Sequence, residues 1–136
     1  MKQENTISEA IRYIDNAEDI LNDPTKANKD KVKKKYQDAK YVRMASHTAW
    51  LGVLIAIESL MHKRNYVFPR DVRKSVTHYR SFIQKENKKV LLYFNTAYAN
   101  LHVYGGYDGV LKTAVIEEGL KSAKEIINWC KNQGAE

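Results

Sequence analysis

The segment Thr48–Met61, TAWLGVLIAIESLM, is apolar on nearly every side, and it constrains the fold more than any other stretch of the chain. A helix without a polar face has to be covered by several neighbours, which places it at the centre of a bundle. The same helical period extends toward the N-terminus. Val32, Tyr36, Ala39, Val42, Ala45, Ala49, Val53, Ile57 and Leu60 recur every three or four residues. This spacing predicts one long central helix over about 29–64, roughly 50 Å of it at 1.5 Å per residue. Gly52 lies inside that helix, where glycine costs about 1 kcal/mol against alanine, so a closely approaching backbone is expected beside it.

The flanking segments supply the covering helices. Thr6-Ile7-Ser8-Glu9 has the form of a capping box, and Ile7, Ala10, Ile11, Ile14, Ala17 and Leu21 then mark one helical face. Asn22-Asp23-Pro24 stops it, because the residue before proline is pushed out of helical geometry. Pro69 fits a first helical position, and Val72, Val76, Tyr79 and Ile83 follow with the helical period. The polar group Gln84–Lys89 interrupts it, predicting a break near Asn87, after which Val90, Phe94, Ala97 and Leu101 resume it. Gly105-Gly106 is expected to end this element as a left-handed cap, and Asp108 to cap a last helix. The inner stripe of that helix is Leu111, Val115, Gly119, Ala123, Ile127 and Cys130. Nothing alternates with the period of a strand. The expectation is an all-α, single-domain bundle of four to five helices spanning residues 1–136.

Several classes of protein are disfavoured. The longest apolar run, Trp50–Ile57, is far short of the roughly 20 residues of a membrane span. The opening MKQENTISEA has no apolar core of a signal peptide, and the one cysteine, Cys130, has no partner within the chain. A cytoplasmic location is expected, with no membrane partner. The four histidines, His47, His62, His78 and His102, fall on separate segments without metal-ligand spacing, so neither a metal nor a cofactor is expected. Cys130, on the inner stripe of its helix, reads as a small hydrophobe.

Charge is distributed in blocks. The net +7 divides into −4 over residues 1–24, +7 over 25–64, +5 over 65–104 and −1 over 105–136. A basic middle fits a polyanion such as RNA, or pairing with the acidic ends. Lys26, Lys29, Lys31, Lys33, Lys34 and Lys35 would oppose the dipole at the start of the long helix. Glu18, Asp19 and Asp23 are expected to offset them. Arg70, Arg73, Lys74 and Arg80 have fewer acidic neighbours and form the candidate nucleic-acid-binding set.

The helix AIRYIDNAEDIL, the run Tyr41…Ala45…His47…Ala49-Trp50…Ala56, and a helix ending in His102-Val103-Tyr104 resemble the HEPN superfamily (higher eukaryotes and prokaryotes nucleotide-binding). The whole chain also looks like a family of small bacterial proteins classed as a domain of unknown function, with Phe94–Gly109 as its hallmark. The HEPN likeness implies a homodimer and, in many members, a metal-independent ribonuclease built on an arginine, four to six residues, then a histidine. A guanidinium binds phosphate, and an imidazole of near-neutral pKa moves a proton. Here His102 and Tyr104 match the second half of the motif, while the arginine positions hold Asn95, Thr96 and Ala97. Asn95 offers a hydrogen bond without a charge. The resemblance therefore implies a non-catalytic or degenerate partner-binding module. The alternative is a toxin-like ribonuclease, or a nucleic-acid-binding or -processing module, using His102 and Tyr104, assisted by a basic residue such as Arg73 or Arg80. Arg73 and His78 also have the motif spacing but sit early in the third helix. For His102 itself the residues favour a helix-end role with no guanidinium beside the ring, and for Tyr98, Tyr104 and Tyr107 half-buried aromatics.

Overall fold

The computed structural model describes residues 6–68 and 73–136. Its helices are α1 (Ile7–Asn22), α2 (Ala39–Lys63), α3 (Val76–Glu86), α4 (Lys88–Ala97) and α5 (Thr113–Asn132). The end of α4 continues without a break into a π-helical segment, Tyr98–Tyr107. Among the described residues, extended pairing is limited to the isolated bridges of Lys35 with Asp30 and with Lys112. The chain is an all-α bundle.

The core forms around α2. Val42, Ala45, Ala49, Val53, Ala56, Ile57 and Leu60 are buried along it, and α1, α5 and the π-helical segment all pack against it. At Gly52 a side chain would stand 3.1 Å from the Ala10 carbonyl oxygen, so glycine is what lets α1 lie this close. By length and hydropathy α2 would suffice to cross a membrane, but 61% of its most apolar 18-residue window is buried inside the bundle. Its apolar surface serves the core.

Element ends follow local chemistry. The Thr6 hydroxyl oxygen accepts the Glu9 N–H at 3.1 Å, and α1 stops at Asn22, two residues before Pro24. The break at Asn87 is present: its backbone is extended and its side-chain oxygen accepts the Lys89 and Val90 N–H groups at 2.9 and 3.1 Å. The expected helix start at Pro69, and Val72 after it, lie outside the described residues, and α3 begins at Val76.

Two expectations are corrected. The central helix starts at Ala39, not near Lys29. Asp30 folds its carboxylate back onto the N–H groups of Val32 and Lys33 at 3.0 and 3.1 Å, and Asn28 and Lys34 take left-handed φ values of 54° and 55°. Such local side-chain bonds compete with helix, and a lysine run is disfavoured at a positive helix terminus. The helix begins instead behind an acidic cap, Asp38, whose oxygen accepts from Lys40 N–H at 3.0 Å.

The second correction concerns Gly105-Gly106. These glycines do not end the helix; they lie within the π-helical segment, and the left-handed residue is Gly109, with φ 65°. Gly105 is buried against α2. A Cβ there would fall 2.6 Å from Ser46 Cβ and 2.8 Å from Ile116 Cδ1. Close contact, not a turn, is the reason for glycine. Asp108 does not cap the last helix, which starts at Thr113 with Lys112 at the cap position. The inner face of α5 is shifted accordingly to Ile116, Gly119, Leu120, Ala123, Ile126, Ile127 and Cys130.

Candidate functional site

Uninterrupted helix from Lys88 through Tyr107 carries Tyr98 and His102 past the middle of α2, where they meet Trp50. The His102 ring lies 5.5 Å from Trp50 and 5.4 Å from Tyr98 between centroids, inclined by 33° and 35°. These three aromatics form one wall of an open groove of about 500 Å³. Arg73, Lys74 and Ser75 before α3, with Val76 and Tyr79 of α3 itself, also line it. π-Helical turns are rare and frequent at functional sites, and His102 lies within this one.

Burial lowers the His102 pKa below the ordinary 6.5, and the nearby His47 adds to the effect when charged. The ring is therefore neutral near pH 7. Its Nδ1 is buried and has no hydrogen-bond partner among the described residues. Two of the described lining residues are cations. Arg73 and Lys74 are exposed on its rim. Arg80 lies over the Tyr98 ring at 5.2 Å and the Phe94 ring at 5.6 Å, while its Nε donates to Asn95 Oδ1 at 3.0 Å.

One carboxylate organises the α3 side. Glu58 accepts the Tyr79 hydroxyl and lies 3.5 Å from Lys74 Nζ. Burial, reinforced by the bond to Glu58, pushes the Tyr79 pKa up, so the phenol keeps its proton and remains a donor. Lys74 also sits 4.8 Å over the Phe68 ring. The entry to α3 is thus tied to α2 by a buried phenol and a cation.

The structure gathers some of the sequence-predicted residues and separates others. His102, Arg73 and Lys74 share the groove, and Arg80 reaches its Tyr98 edge. His102 stands in mid-segment, not at a helix end; Arg73 lines the same groove and Arg80 lies over the neighbouring Tyr98 ring, while among the described residues no guanidinium contacts the imidazole. Tyr104 points elsewhere: it is 47% exposed and does not line the groove. Asn95 is exposed and serves Arg80. Arg70 lies outside the described residues. His78 takes part in the start of α3, its Nδ1 accepting the Ser75 N–H at 3.1 Å. Tyr107 is exposed rather than half-buried. Cys130 is fully buried, and burial raises its pKa to about 12, which fits an inert core thiol.

Trp50, Tyr79 and Glu58 were not among the predicted site residues. Glu58 had a signal in the sequence, since it is the one charged residue in Thr48–Met61. A lone carboxylate in so apolar a stretch requires a partner.

Fold and groove together define a small all-helical bundle with a groove lined by aromatic residues and two cations. The chain belongs to the family described as domain of unknown function DUF5618, whose model matches residues 5–132. It is also similar to a solved structure, a protein of unknown function from Dyadobacter fermentans. The two share 36% identity over 99% of this chain and 100% of that one, with a TM-score of 0.82. Among curated proteins, none matches.

Proposed function

We propose that this chain is a HEPN-like, catalytically degenerate bundle that binds single-stranded RNA in the groove beside His102. The observation that carries the reading is that the partly exposed rings of Tyr98 and His102, backed by the buried Trp50, line one groove with the exposed Arg73 and Lys74. Bases stack on aromatic faces whatever their identity, and phosphates follow cations; together these are the two requirements of single-strand binding. Asn95, standing where the motif arginine would be, supports the degenerate reading, because it holds Arg80 against Tyr98 instead of supplying a charge of its own.

The test is binding of a fluorescent uridine trimer at low salt, followed by anisotropy. Binding that weakens as salt rises, and that drops about tenfold in His102→Ala combined with Arg73→Ala, is expected from the loss of one stacking face and one phosphate contact. A trimer that fails to bind at low salt overturns the reading.

One observation favours a second reading, ribonuclease activity: a neutral imidazole and an arginine border the same groove. A neutral imidazole accepts a proton from a ribose hydroxyl, and a guanidinium stabilises the phosphate charge that develops. Cleavage of mixed RNA in chelator by the parent, absent in His102→Ala, would establish it in place of the degenerate reading.

A further inference from the structure

The lysine run that fails to form helix has a built structure of its own. Residues 28–37 loop out from the bundle and return, closed by Asp30 N–H to Lys35 oxygen at 2.7 Å and Lys35 N–H to Asp30 oxygen at 3.2 Å. Its base is fixed to the core. Tyr36 is buried and its N–H donates to the Leu111 oxygen at 2.8 Å, while the Thr113 N–H and hydroxyl both donate to the Lys34 oxygen at 3.1 Å. The loop therefore projects Lys31, Lys33, Lys34 and Lys35 from a fixed base.

The acidic end of α1 does not neutralise them. Asp23 lies 3.9 Å from Lys26, Glu18 pairs with Lys124 on α5, and Lys29 pairs with Glu117 at 2.6 Å. Asp30 is occupied by backbone N–H groups. Among the described residues, Lys31, Lys33, Lys34 and Lys35 make no ion pair, and Lys112 is bridged to Lys35 through the backbone.

From this loop a line of exposed side chains runs along α2 to the groove. Lys40, Arg43, His47 and Leu51 recur at helical spacing on the solvent side, and Trp50 and Leu54, one turn on, belong to the groove itself. Arg43 is anchored on the Tyr107 and Asp108 carbonyl oxygens at 3.3 and 3.2 Å. Lys40 to Leu54 spans about 21 Å of helix at 1.5 Å per residue. At about 3.4 Å per stacked nucleotide that length, with the loop beyond it, holds about seven nucleotides.

We propose that Lys31, Lys33, Lys34 and Lys35 form a second contact site for the same single-stranded RNA, with the strand lying along the exposed stripe of α2 between loop and groove. This rests on the groove binding RNA, and it makes affinity depend on strand length.

Uridine trimer, uridine dodecamer and a twelve-base-pair RNA duplex, each labelled, distinguish the outcomes by anisotropy across a salt series. The parent protein is expected to bind the dodecamer at least tenfold more tightly than the trimer. Lys31→Glu, Lys33→Glu and Lys34→Glu combined change only exposed side chains. They are expected to leave trimer binding unchanged, to remove the length advantage, and to reduce the salt slope by about two, at about 0.7 per single-strand phosphate contact. The corresponding glutamine variant should show a smaller loss in the same direction.

Equal affinities for trimer and dodecamer, or a dodecamer that binds the variant as it binds the parent, overturn the proposal while leaving the groove reading standing. A trimer that fails to bind, beside a dodecamer that is lost in the lysine variant, overturns the groove instead. Tighter binding of the duplex overturns the single-strand assignment. A homodimer in which the second copy shields His47 from modification overturns the strand path along α2.

Discussion

Gly105 and Ser46 show how narrow the tolerances are where the π-helical segment crosses α2. A methyl group at Gly105 collides with the Ser46 side chain, whose hydroxyl is already buried without a partner among the described residues. Gly105→Ala should destabilise the fold by about 1–3 kcal/mol through overpacking, despite the helix preference of alanine. Ser46→Gly in the same chain should restore part of that loss. Urea denaturation of the two single variants and the double variant measures the coupling, and additive effects would place the clash elsewhere. His102 makes a pH-dependent contribution. Its folded pKa lies below 6.5. The stability it contributes is therefore complete above the unfolded value and is lost as pH falls through that value toward the folded one, because the unfolded chain takes up the proton first. Between pH 7 and about pH 5, stability should fall more steeply in the parent than in His102→Gln. Parallel slopes in urea melts would contradict this.

At the scale of elements, the helical stripe predicted the buried face of α2 well but misplaced its start. Val32 continues the apolar spacing and yet is 91% exposed, whereas Tyr36, four residues on, is buried. Period alone does not distinguish a helix from a loop that returns to the same core. The Asp30 turn and the acidic cap at Asp38 decide the matter locally. Asn87 is the converse case, where a polar interruption in the sequence becomes a cap with two bonds. Asn87→Ala should cost about 1 kcal/mol, in line with N-caps elsewhere, and Asn87→Asp should retain most of it. Thermal melts by circular dichroism test the pair. Equal losses in both would mean that the extended backbone at this break, not the cap, supplies the stability.

For the whole molecule, the core is one connected cluster that includes residues from α1 near Ile7 to Ala135 beyond α5, and the start of α1 is held to the segment after α5 where Ile7 N–H donates to the Glu136 oxygen at 2.9 Å. Cys130 lies in it with no exposure and a pKa raised to about 12. Its reaction with a disulfide reagent should require opening of the fold, so the rate should rise with urea in step with unfolding. Fast labelling of the native chain would show that α5 opens alone. The sequence by itself determined the all-helical class, the central position of α2, the α1 and Asn87 boundaries and the inert cysteine. Each of those follows from the period of apolar residues or from a bond between near neighbours. Only the tertiary structure decided that Arg73, Tyr98, His102 and Trp50 share a groove, that Glu58 ties α3 to α2, and that Gly105 serves contact rather than a turn. Those facts depend on side chains from separate helices meeting in space. Periodicity along one helix fixes which face is buried, but not which residues of another helix it will touch.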